Sequence, residues 1–427
     1  MNVATNSVRE RPLGLLSATA LVVASMIGTG VFTTSGFLLA ELKSRWAVLA
    51  IWLAGGIVAA LGALSYGALA RRIPESGGEY LFLSRTLHPA LGFVAGWISL
   101  LVGFSAPLAA VAFAFGEYIK PWLPGWPASL SGSMLLVVFA AVHALHVQRG
   151  AWVQNAAVLV KLLLIVFFVG FAVARLQPPA EPISVRAPVS AFAVSLVWVS
   201  FSYSGWNAAV YVGGEIRDPA RNLPRSLLLG TGLVTLVYLA LNGVFLFSVP
   251  PEVLSGKLEV GRIAAGALGG PALANAVAVL VCLALLTSAS SLVMAGPRVY
   301  ARMAADGYFP RWLAAPEGPP RAAIAFQLLI ALALLWSAAY ESLLTYIGFT
   351  LGLSTAATVF GLIVLRRREG ERLQVPGWPW VPAAFLLAVL AMTILSVARR
   401  PIESFIGLGT IGVGWVVWWF IPGRRSK

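Results

Sequence analysis

Apolar residues gather in long runs along this chain, and short connectors between them carry most of the charge. Runs of roughly 18 to 30 residues are long enough to cross a bilayer as helices. The pattern predicts twelve such spans, with cores near 14–39, 46–70, 91–119, 129–147, 151–175, 189–214, 226–249, 271–303, 322–340, 343–365, 380–397 and 402–421. The longest connectors are about twenty residues, too short for a soluble domain. The expected architecture is therefore all-α and polytopic, with 1–427 as a single transmembrane domain. The first run is too long for a signal peptide, and its polar interruption sits at its centre rather than at a cleavage site.

Two runs are interrupted where the hydrocarbon should be deepest. Span one contains Ser25, Met26, Ile27, Gly28, Thr29, Gly30, Val31 and Phe32 in sequence, and span six contains Phe201, Ser202, Tyr203, Ser204, Gly205, Trp206 and Asn207. Glycine costs about 1 kcal/mol against alanine inside a helix. Lipid supplies no water for freed backbone groups, so a break survives where it lines a protein-enclosed polar cavity. Close helix packing is the alternative use of Gly28, Gly30 and Gly205, but a packing seam needs one face, and polar side chains crowd several. Five spans separate the breaks, so a five-helix unit re-enters from the opposite side. This parity predicts an inverted repeat, about 14–175 and about 189–365, with two helices over about 380–421 appended.

The composition agrees with a membrane protein. The chain is 59% apolar and 11% charged, with mean hydropathy +0.86, whereas soluble domains carry about 25% charge. Its net charge of +14 does not point to nucleic acid, because no basic helix face exists. With the N-terminus inside, 20 Lys and Arg fall in inner connectors, including Arg9, Arg11, Arg149, Arg424, Arg425 and Lys427, against 9 in outer ones, including Arg186. That asymmetry places both ends in the cytoplasm. Cys282 is the single cysteine. His143 and His146 lie one helical turn apart but lack a carboxylate or thiol companion, so no metal is expected. No cofactor or enzyme site is visible. Gly28-Thr29-Gly30 lacks the third glycine, preceding strand and distant acid of a dinucleotide fingerprint.

A half-helix N-terminus offers unpaired amides and partial positive charge, which suit a carboxylate. Thr29, Gly30 and Val31 present such donors after the first break, and the helix ending at the second presents carbonyls from about Phe201 to Ser204. Opposite polar ends a short distance apart match an α-amino acid zwitterion. Lys161 lies about ten residues into span five, roughly 15 Å from the inner edge, where a lysine costs about 2.5–3.5 kcal/mol. No acidic residue is expected at its depth. Lys161 is thus a candidate coupling residue, standing in for a bound cation or exchanging a proton. Its expected neighbours are carbonyls at the first break and hydroxyls of Thr287, Ser288, Ser290 and Ser291.

The stretches Ser25–Phe32, Arg71–Arg85, Phe201–Ser226 and Gly296–Pro310 together resemble the amino acid–polyamine–organocation superfamily, most closely bacterial relatives of the L-type amino acid transporters. The resemblance implies a LeuT-type fold with broken helices 1 and 6, alternating access, amino acid transport and a bacterial inner-membrane location. Matched by motif, Thr29 and Gly30 would bind the substrate carboxylate, with Met26 and Ile27 supplying backbone. Phe201, Ser202 and Ser204 would surround the ammonium. Phe201 would also close over the substrate, with Trp206 as a second gating candidate. Asn207, Ser288 and Ser291 would give polar support, and Lys161 matches the family's span-five lysine. Many relatives have glycine at the position of Ser204, so a smaller or more polar pocket is expected here. Animal L-type relatives join a heavy chain through a cysteine after span three; Leu123–Leu130 has none, so no disulfide-linked partner is expected.

The expectation is a secondary transporter of neutral, small L-amino acids working by exchange. Proton symport and a non-transporting membrane receptor are the alternatives. Tyr203 is expected to pack between helices. Pro74–Tyr80 and Gly214–Pro224 are hinge or inner-gate candidates, and Trp415, Trp418 and Trp419 are expected to face lipid.

Overall fold

The computed structural model describes residues 13–145, 150–176, 189–315 and 319–421, and beyond one isolated bridge between Leu13 and Ile216 its regular elements are helical. Arg9, Arg11, His146, Arg149, Arg186, Arg424, Arg425 and Lys427 lie outside the described residues. The first half comprises α1 (Leu15–Met26), α2 (Gly30–Leu42), α3 (Arg45–Arg72), α4 (Gly78–Thr86), α5 (Pro89–Ile98), α6 (Ala106–Ile119), α7 (Ala128–Leu145) and α8 (Gly150–Val173). The second comprises α9 (Val189–Ser202), α10 (Pro219–Ser248), the single turn α11 (Pro251–Leu254), α12 (Val260–Ala305), α13 (Arg321–Ser337) and α14 (Tyr340–Glu369). Two last helices, α15 (Trp380–Arg399) and α16 (Pro401–Phe420), complete the chain.

Among the described residues, 10 helical segments are long and apolar enough to cross a membrane, taking α1 with α2 and α5 with α6 as single spans. The two remaining apolar runs form shorter helices, Ser190–Ser202 and Arg321–Ser337. Each has a local cause. The break after Ser202 cuts the sixth run, and Ala338 is extended (φ −117°, ψ 144°), which ends the ninth before Tyr340. The eighth run's expected start at Pro271 coincides with a real interruption: Gly269 and Gly270 leave helical geometry inside α12, and Gly270 adopts φ 71°.

Side chains are partitioned for a lipid exterior. Leu163, Val166 and Phe167 on α8 and Phe405 and Ile406 on α16 are exposed, while Ser65, Thr231, Asn242 and Lys161 are buried. One expectation fails here. Trp418 does not face outward but is buried against Phe93 and Tyr308, with ring centroids 5.6 and 5.4 Å apart, because its face of α16 packs on α5. Trp419, the next residue and about 100° round the helix, is 71% exposed. At the centre, α1, α2 and α9 are ringed by α3, α10, α12 and α14.

Candidate functional site

The first break is local and sharp. Ile27 leaves the helix at φ −77°, ψ 83°, its amide closing on Val23 O at 3.0 Å, and Gly28 N donates to Met26 O at 2.9 Å. Helix α2 restarts at Gly30, and the amides of Thr29, Gly30 and Val31 have no acceptor among the described residues. Three orphan donors at a helix start are the arrangement that holds an anion.

The second break lies against the first. A Cβ on Gly30 would stand 2.4 Å from Ser202 Cβ, and one on Gly205 would stand 2.8 Å from the Ser25 carbonyl carbon. Gly205 also adopts φ 97°, which glycine alone tolerates without strain. A Cβ on Gly28 would meet Ser288 Oγ at 2.8 Å. These glycines therefore serve close crossing and the site together. After the turn, the chain forms not an α-helix but a 3-10 segment, Ala208–Glu215.

The carbonyls expected to stand unpaired from Phe201 to Ser204 are mostly engaged. Phe201 O accepts from Ser204 N at 2.9 Å and Tyr203 O from Trp206 N at 3.4 Å. The Tyr238 hydroxyl lies 2.8 Å from Ser202 O and 2.5 Å from Met26 O. One hydroxyl has one proton, so Tyr238 satisfies these carbonyls alternately and leaves acceptor capacity at both helix ends. The Ser202 hydroxyl donates to Trp198 O at 3.1 Å and meets Thr34 Oγ1 at 3.1 Å.

A chamber of about 130 Å³ lies at the crossing. Met26, Thr29, Gly30, Phe201, Ser202, Ser204, Trp206, Asn207, Ser288 and Ser291 all line it. Ile27 and Lys161 do not. Lys161 Nζ instead donates to Ile27 O at 3.0 Å and to Thr287 Oγ1 at 3.3 Å, so it props the first break from behind. Of the hydroxyls expected around it, Thr287 makes the contact, while Ser288 faces Gly28 and Ser290 meets His143 Nε2 at 2.9 Å. Trp206 packs edge-on against Tyr66, centroids 4.7 Å apart, and over Gly62. Tyr203 packs between Trp52 and Tyr238 as expected, its hydroxyl donating to Trp52 O at 3.0 Å.

Three features went unread in the sequence. Glu79 heads α4 and is only 3% exposed, and it lines the chamber. The double glycine Gly77-Gly78, both residues at positive φ, turns α4 inward and carries Glu79 with it. Asn207, expected as a polar brace, donates to its carboxylate at 2.5 Å. Tyr238 is the second. The third is a π-helical turn, Ser99–Ser105, whose Ser99, Gly103 and Phe104 join the chamber wall; such turns recur at functional sites. The paired glycines before Tyr80 were the available signal for Glu79, whereas Ser99–Ser105 reads like any apolar helix.

Known proteins resemble this chain over most of its length. The b(0,+)-type amino acid transporter 1 of Mus musculus is 27% identical over 419 residues, covering 93% of this chain and 85% of the relative. The large neutral amino acids transporter small subunit 2 of Mus musculus is 28% identical over 427 residues, covering 95% and 80%. The b(0,+)-type amino acid transporter 1 of Homo sapiens is 27% identical over 420 residues, covering 93% and 85%. These relatives are amino acid transporters, not enzymes. The amino acid permease family model matches residues 13–421, so this chain, with its crossed helix breaks, belongs to that family, within the amino acid–polyamine–organocation superfamily.

Proposed function

We propose that this protein is a secondary transporter of small neutral L-amino acids that works by alternating access and exchanges one substrate for another. One observation carries the reading: Thr29 and Gly30, whose amides have no acceptor among the described residues, and Phe201, Ser202 and Ser204 at and just beyond the end of α9 line a single chamber. Thr29 and Gly30 bind the carboxylate; Met26, Ser202 and Ser204 offer oxygens to the ammonium. Phe201 closes over the solute. The name of one relative specifies large neutral amino acids; the preference for small ones here rests on Ser204, which lines the chamber.

Lys161 supports exchange. Its amino group occupies the junction between the first break and α12, filling the place a coupling cation would take. The proposed topology has twelve spans in two inverted five-helix halves, with α15 and α16 appended, both termini cytoplasmic and the inner membrane of a bacterium as host. The relatives include one whose name marks it as a small subunit; Cys282, the single cysteine, lies within α12, and this chain works without a disulfide-linked partner. Proteoliposomes test the function. Uptake of labelled alanine that requires internal amino acid supports exchange. Uptake into empty vesicles driven by a pH gradient replaces it with symport, and binding without flux replaces it with a receptor.

A further inference from the structure

Two cavities share one side chain. The central chamber is bounded on one side by Glu79, Asn207 and Tyr211. A second cavity of about 320 Å³ is lined by Glu75, Ser76, Gly214, Glu215, Arg298 and Arg302, and again by Tyr211. In the proposed topology this second cavity opens to the cytoplasm, so the inference rests on that reading. Tyr211 is the partition.

The partition is fastened by a buried carboxylate. The Tyr211 hydroxyl donates to Glu79 Oε2 at 2.5 Å, while the Tyr66 hydroxyl and the Asn207 amide donate to Oε1 at 3.0 and 2.5 Å. Among the described residues Glu79 makes no ion pair with Lys or Arg, so these three donors are its compensation. Hydrogen bonds to a carboxylate are roughly twice as strong as neutral ones, and stripping a buried one of donors is costly. The Tyr211 ring lies on the bare Cα of Gly78, where a Cβ would come within 2.2 Å of it. Phe104 of the π-helical turn packs edge-on against its other flank, with centroids 5.4 Å apart.

The segment that carries Tyr211 is suited to move. A 3-10 helix has poorer hydrogen bonds than an α-helix, and this one departs from helical geometry at Val212 (φ −116°, ψ 20°). Its far end is tied to the start of the first helix, since Leu13 N donates to Glu215 O at 3.1 Å and Arg217 N to Leu13 O at 2.8 Å. Gly214 N also donates to Ser76 Oγ at 3.0 Å. Displacing the lower half of α1 therefore pulls on the segment holding Tyr211.

We propose that Tyr211 is the inner door of the chamber and Glu79 the buried latch that keeps it shut, so that release to the cytoplasm requires this carboxylate to part from Tyr211. Thiol labelling of the full-length protein tests the door without any amino acid present. On a Cys282→Ala background, Ser99→Cys places a thiol on the chamber wall, and a membrane-impermeant maleimide is applied to inside-out or right-side-out vesicles. Tyr211→Phe and Glu79→Gln are each expected to raise labelling at position 99 at least fivefold from the cytoplasmic face and to leave the opposite face unchanged. Unchanged labelling in both variants, or an equal rise from both faces, overturns the latch. Should Glu79→Gln fail to fold, Tyr211→Phe, which removes one hydroxyl, decides alone. Because no substrate is used, a failure of amino acid uptake leaves this result readable.

Discussion

Gly30 is where the two helix breaks touch, and one added methyl group there should separate them. In Gly30→Ala the new Cβ would lie 2.4 Å from both Cβ and Oγ of Ser202 and 2.5 Å from its Cα, against 3.4–4 Å for ordinary contact. Because a backbone atom is among the obstacles, rotating Ser202 does not relieve the clash. The start of α2 must move away from the end of α9 by about 1 Å, and overpacking of this kind costs about 1–3 kcal/mol. If that cost falls on the binding-competent crossing, affinity drops by about 5- to 150-fold. The assay is equilibrium binding of radiolabelled alanine to purified full-length protein, read beside thermal unfolding. Gly170→Ala is the control: nothing lies within 4 Å of its Cβ position, in the last turn of α8, and helix propensity makes that change neutral or stabilising by up to about 1 kcal/mol. Wild-type affinity in Gly30→Ala, alongside an unaffected Gly170→Ala, would refute the claim that the crossing builds the site.

Three other substitutions separate the remaining roles. Lys161→Ala removes the donor to Ile27 O and Thr287 Oγ1; loss of charged hydrogen bonds worth about 1.5–3 kcal/mol should slow exchange at least tenfold in proteoliposomes, and wild-type rates would remove Lys161 from the mechanism. Tyr238→Phe deletes the hydroxyl shared by Met26 O and Ser202 O at a cost of about 1–3 kcal/mol, expected as a raised KM for uptake with the protein still monodisperse. Ser204→Gly clears a side chain from the chamber wall, and competition against labelled alanine should shift toward larger neutral amino acids such as leucine. An unchanged competition profile would show that Ser204 does not set size.

What was legible in the sequence was whatever contradicts its surroundings. Gly28, Thr29 and Gly30 are conspicuous in an apolar run because lipid penalises a broken helix, and Lys161 because it penalises a charge; both lie where they were expected, at the first break. Pro271 marked the restart of α12 because Gly269 and Gly270 precede it. What stayed hidden depends on partners distant in sequence or on conformations that composition does not encode. Tyr238 is one aromatic among many in an ordinary helix until folding sets its hydroxyl between two carbonyls. Glu79 carries the charge of a surface connector, and only its donors Tyr66, Asn207 and Tyr211, the last two 128 and 132 residues away, reveal it as interior. The residues Ser99–Ser105 suit an α-helix as well as the π-helical turn they form. Trp418 was misassigned because three tryptophans in five residues cover more than one face of a helix, and only one face meets lipid.

An experimental structure of the protein saturated with alanine tests the central claim most directly. The account predicts the carboxylate about 3 Å from the amides of Thr29 and Gly30 and the ammonium against the oxygens at the ends of α1 and α9. Alanine bound elsewhere, or in this chamber with its two charged ends reversed, would contradict it.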